Sequence, residues 1–73
     1  MTEHYIDAMG FMCPVPNMMV QEKLEQAQQG DVIILETDHS CAAVNIINDM
    51  KKKKIRAASS EIDNGIWRVV IRL

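Results

Sequence analysis

Cys13 is followed at once by Pro14 and then, after Val15, by Pro16, and the polar stretch behind them carries apolar residues at helical spacing. A thiol is a weak nucleophile until it ionises, and a helix start favours the thiolate through unpaired amides and the positive end of the dipole. Proline is tolerated in a first turn because amides there have no intrahelical acceptor, so Pro14 and Pro16 mark the start of the helix and stiffen the bend that presents the sulfur. Three residues after Cys13, where a C-x-x-C redox pair would place its second thiol, stands Pro16. That excludes local disulfide chemistry. A lone, accessible thiolate suits persulfide relay, in which sulfur is taken from a donor persulfide and yielded to an acceptor thiol by displacement at sulfur. Such chemistry needs no metal and no organic cofactor.

The second cysteine, Cys41, falls in the first turn of a second expected helix. Neighbouring parallel strands lie roughly 5 Å apart, so Cys41 can face Cys13 across them and resolve or receive its sulfur, as a disulfide or a shared trisulfide. The alternative is an apolar filler at a helix start. His39 and Cys41 form an H-x-C pair that, with Cys13, could supply three soft metal ligands, while a plain loop histidine that tunes the thiolate when protonated is the simpler reading. Two rivals to the carrier therefore stand: a thiol/disulfide redox protein using Cys13 and Cys41, and a non-catalytic module that binds a partner or a metal.

The elements that must hold these residues follow from periodicity. His4, Tyr5 and Ile6 before Asp7 read as an edge strand, with Gly10 opening a turn. Val20, Leu24 and Ala27, flanked by Met18 and Met19, recur at helical spacing, and Gly30 is expected as the left-handed cap that closes this helix. Asp31 leads into Val32–Leu35, a β-branched-rich run suited to a covered central strand ending near Thr37. Asp38 or Ser40 is expected to cap a second helix with Ala43, Ile46, Ile47 and Met50 on one side and Lys51–Lys54 at its end, where cations suit the dipole. Ile55–Ile62 and Ile66–Leu73 flank Asp63-Asn64-Gly65, a strong hairpin signal, with Trp67, Val69, Ile71 and Leu73 on one face. The order β-α-β-α-β-β with right-handed crossovers predicts an α+β fold, a two-layer α/β sandwich with both helices on one face of a mixed four-stranded sheet. Both strand-to-helix junctions then open at the same end, around Cys13 and around His39–Cys41.

Composition narrows the function. Seventy-three residues with 48% apolar content suit a single small domain, 1–73, and ten acidic against eight basic residues argue against nucleic-acid binding by counterion release. Two widely spaced cysteines are too few for a disulfide scaffold, and a run such as Val32–Leu35 is far too short to span a bilayer. With no signal peptide recognisable, the expectation is a cytoplasmic protein in a reducing compartment. The lysine run is read as a solvated helix end, with a docking patch for an acidic partner as the alternative. Met9 and Met12, in the turn before Cys13, with Met18 and Met19 beyond it, are candidates for an adaptable partner surface, whereas Met50 is expected in the core and His4 at the surface.

The stretch Asp7-Ala8-Met9-Gly10-Phe11-Met12-Cys13-Pro14-Val15-Pro16, followed by Met18-Met19-Val20, resembles the D-x-x-G-x-x-C-P-x-P signature of the TusA/SirA-like sulfur-carrier family, YeeD-type proteins included. Gly30-Asp31 before the second strand, Thr37-Asp38 before the second helix and the closing hairpin are also similar. The resemblance implies the same sandwich fold, Cys13 as persulfide carrier with Gly10, Pro14, Pro16 and Asp38 in support, and protein partners. These are a sulfur donor of cysteine desulfurase or rhodanese type and a sulfur acceptor. Where tRNA-thiolating members often carry an arginine before the cysteine, an acidic residue between the prolines and a basic pair in the first helix, this chain has Met12, Val15 and Gln21 with Glu22. What the resemblance implies is therefore the carrier chemistry, with supply from thiosulfate beside a membrane transporter, as in YeeD-type relatives, as one role.

Overall fold

The structure, a computed structural model, describes residues 2–73. Six elements follow one another: β1 (Glu3–Asp7), α1 (Val15–Gln26), β2 (Val32–Thr37), α2 (Ser40–Lys52), β3 (Arg56–Asp63) and β4 (Ile66–Arg72). The sheet order is β1-β2-β4-β3, with β1 parallel to β2 and β4 antiparallel to both its neighbours. This is the β-α-β-α-β-β mixed sheet expected from the periodicity.

Alternation along the strands explains the single core. Ile33, Leu35 and Thr37 of β2 are fully buried, as are Val69 and Ile71 of β4, and Ile6 joins them from β1. From the helices come Val20, Ala43, Ile46 and Met50, with Met19, Leu24, Ile47 and Trp67 packed around them. Met18, one residue before Met19, is left in solvent. The opposite sheet face carries Tyr5, Ile34, Val70 and Ala58 in register, flanked by the cross-strand pair Glu36–Arg68, whose Oε2 and Nη2 lie 2.9 Å apart.

Three local expectations are corrected. Gly30 does not cap α1: the helix ends with Ala27 as its extended C-cap, and Gly30, at φ +95°, serves instead a turn in which the Asp31 amide donates to the Gln28 carbonyl at 3.0 Å. Neither Asp38 nor Ser40 caps α2; His39 occupies that position and its amide is bonded to Thr37 Oγ1 at 3.2 Å. His4 is no loose surface residue, because its Nε2 lies 2.9 Å from Asp31 Oδ2. The lysine run does end α2, but Lys53 folds back onto Asp49 at 3.7 Å and onto Gln21 of α1.

Asp31 clasps the start of the sheet. Its carboxylate accepts from the Gln28 amide, His4 and the Thr2 amide. Those bonds, the Gln28 amide foremost and then His4, hold its carboxyl down to about 2 from an ordinary value of 3.8. A depressed carboxyl contributes stability above its unfolded value that disappears as pH falls through the folded one. The urea midpoint should therefore fall between about pH 4 and about pH 2, and Asp31→Asn should start lower and flatten that acid limb.

Candidate functional site

Both strand-to-helix loops meet at one end of the sheet. The first runs from Ala8 to Pro14, beginning where the Ala8 amide still donates to the Glu36 carbonyl at 2.9 Å. Gly10 then takes φ +82°, a conformation that side-chain-bearing residues rarely adopt, and its amide points at the second loop. There it donates to Asp38 Oδ1 at 3.0 Å, and the same oxygen meets His39 Nδ1 at 3.0 Å. The Gly10 amide is the main reason the Asp38 carboxyl is held below the usual carboxylate range, with the His39 hydrogen bond adding to it. Asp38 thus ties the Cys13 loop to the start of α2.

This tie brings the two thiols together. Cys13 Sγ and Cys41 Sγ are 2.9 Å apart, both unbonded, with Cys13 half-buried and Cys41 exposed. Asn45, one turn beyond Cys41 on the same face of α2, points Nδ2 at Cys13 Sγ from 3.8 Å. Asn45 belongs to no motif in the sequence, and its i, i+4 spacing from Cys41 is the one signal there that points to it. His39, for which a plain loop residue is the simpler reading and a soft metal ligand the alternative, is turned toward Asp38, and among the described residues no group of three or more His, Cys, Asp or Glu side chains is arranged to hold a metal ion.

The helix start supplies fewer amides than its position suggests. Pro14 and Pro16 have no N–H, and the Val15 amide is taken by the Met12 carbonyl at 2.9 Å. At most one first-turn amide, that of Asn17, is left for the sulfur. The Cys13 thiol is pushed above the ordinary thiol range, chiefly by its hydrogen bond with Cys41, then by desolvation and by the Cys41 charge, while Asn45 and its own amide pull the other way. The expectation of a thiolate held by the helix end is thus overridden by the second sulfur. Cys41→Ala should shift the alkylation profile of Cys13 to lower pH, since it removes the largest raising influence, and Asn45→Ala should shift it upward. Rates of iodoacetamide labelling across pH, read by intact mass, check both.

The chain segment that carries Cys13 also exposes apolar side chains. Met12 and Met18 are each about two-thirds exposed, and Phe11, Met9 and Val15 are partly so. Five uncovered apolar side chains, all within five residues of one half-buried sulfur along the chain, form a collar suited to protein contact. The two thiols, where both strand-to-helix loops meet at one end of a two-layer sandwich, define a small thiol-bearing protein.

The comparisons with known proteins agree. The family model described as Sulfurtransferase TusA matches residues 4–73, and the chain belongs to this TusA, or SirA-like, family of sulfurtransferases. A crystal structure of a SirA-like protein from Desulfitobacterium hafniense is similar over 97% of this chain and 95% of that one, at 26% identity and a TM-score of 0.84. At the level of the family this is a sulfur carrier or sulfurtransferase that works with donor and acceptor proteins. Among the described residues no helix is long and apolar enough to cross a membrane.

Proposed function

We propose that this chain is a persulfide carrier in which Cys13 accepts a sulfur atom from a donor protein and hands it to an acceptor protein. The observation that carries this reading is the placement of Cys13 on the loop that opens α1, inside an apolar collar and without a covalent partner. Pro14 and Pro16 stiffen the bend, and Gly10 and Asp38 hold its loop in place. Met9, Met12 and Met18 supply an adaptable docking surface, because thioether side chains repack against differently shaped partners. The donor is of cysteine desulfurase or rhodanese type, and delivery of thiosulfate-derived sulfur beside a membrane transporter is one setting for it. A second reading, a thiol/disulfide protein cycling Cys13 and Cys41, is favoured by their 2.9 Å separation.

One spectrum separates the two. In the first moments after the reduced chain meets a small-molecule persulfide, intact mass should show one added sulfur atom that a thiol reductant strips away. A chain that only loses two hydrogens, without ever carrying sulfur, would place it with the redox proteins.

A further inference from the structure

The carrier reading gives Cys41 no task, yet Cys41 Sγ touches Cys13 Sγ and has no other hydrogen-bond partner among the described residues. Taking the carrier role of Cys13 as its basis, we propose that Cys41 discharges the loaded carrier: it attacks the inner sulfur of the Cys13 persulfide, releases hydrosulfide and closes a Cys13–Cys41 disulfide.

The geometry selects which sulfur is attacked. In the loaded form the extra atom is bonded to Cys13 Sγ, so the atom Cys41 already meets at 2.9 Å is the inner one. An acceptor protein approaching over the collar meets the outer one. In the anionic persulfide, the bond between Cys13 Sγ and the outer sulfur breaks while a bond between Cys13 Sγ and Cys41 Sγ forms. The Cys41 thiol proton leaves with the departing sulfur as hydrosulfide. The outer sulfur is thereby reduced to sulfide, and the two cysteines are oxidised to the disulfide. A dithiol reductant returns both to thiols.

Two features favour this outcome over movement of the sulfur onto Cys41. Transfer to Cys41 would expel an alkyl thiolate, whereas attack on the inner sulfur expels hydrosulfide, which is the weaker base and leaves faster. The Asp38 tie also keeps the two loops together, so the thiols are held as an intramolecular pair. Acceptor docking and self-discharge then compete. A carrier that meets its acceptor relays sulfur, and one that does not releases sulfide and locks until reduced.

The test is a single-turnover measurement on the full chain. Reduced wild type, Cys41→Ser and Cys41→Ala are loaded anaerobically with cysteine persulfide, freed of excess reagent, and followed by intact mass and a sulfide assay. Both variants should hold the added sulfur roughly 100-fold longer than wild type. Wild type should release one sulfide per chain, end two hydrogens below the reduced mass, and return to it with dithiothreitol. Equal retention in all three proteins overturns the inference and leaves the carrier intact, as does recovery of the added sulfur on the Cys41 peptide of wild type. Failure of both Cys41 variants to take up sulfur, at unchanged melting temperature, overturns the carrier reading itself.

Discussion

Cys13→Ser should take up no sulfur at all from a persulfide donor, while wild type gains one atom. The reaction is displacement at sulfur, and the entering group must be a sulfur anion: a serine hydroxyl does not ionise near neutrality and forms no stable bond of this kind. Nothing else in the site takes over. Cys41 remains in the variant, but it lies on the exposed first turn of α2, outside the bend that Pro14 and Pro16 stiffen, and it loses the Cys13 contact. The fold should not suffer, because Cys13 lies in a loop outside the buried core and the change removes little volume. A melting temperature within a few degrees of wild type, about the effect of a surface substitution, accompanies the loss. Intact mass before donor addition and at the earliest times after it, ahead of self-discharge, reads the outcome. A Cys13→Ser chain carrying the added sulfur would move the carrier role to Cys41.

The second large effect is structural. Leu35 is fully buried at the centre of β2, opposite Ile6 on one side and Val69 on the other. Leu35→Ala removes three carbons from a place where two strands and both helices converge, and such truncations cost about 2–5 kcal/mol. A chain of this size has roughly 4–11 kcal/mol in total. The melting temperature should therefore fall by about 10–30 °C, as measured by far-ultraviolet circular dichroism. Because Leu35 lies two residues before Thr37, whose hydroxyl holds the start of α2, sulfur loading should fail at the same temperature as the fold. A fall of less than a few degrees would show that the core repacks around the vacancy.

What periodicity and turn chemistry carry was legible without coordinates. The alternation of Val69 and Ile71 against Arg68 and Arg72, the helical spacing of Ala43, Ile46 and Met50, and Asn64-Gly65 between two apolar runs are local patterns with one favoured geometry each, and they yield the element order. The Cys13 motif was legible for the same reason, since two prolines behind a cysteine leave few conformations. Residues offered more than one partner were not. Gly30 suits a helix cap and a β-turn equally, and the strand that must start at Val32 decided for the turn. Asp38 suits an N-cap, but the Gly10 amide arrives from 28 residues away and takes its oxygen. His4 pairs with Asp31 over a similar span. The amide-poor helix start was implicit in the two prolines. Its consequence for the thiol depended on Cys41 lying in contact, a distance that only the packed loops determine.

The helix that begins beside Cys41 finishes in lysines, and this makes it a ruler. From Cys41 to Lys52 the rise is roughly 17 Å. With Lys53 folded onto Asp49 and Gln21, the outward cations are Lys51, Lys52 and Lys54, at the far end of the molecule from the sulfurs. At physiological salt, charges act over about 8 Å, so a partner footprint confined to the thiols never senses them. A broad acidic partner that spans the helix feels both ends. Ionic strength would therefore sort this chain's partners by width: narrow ones bind alike in dilute and concentrated salt, and wide ones let go as salt rises.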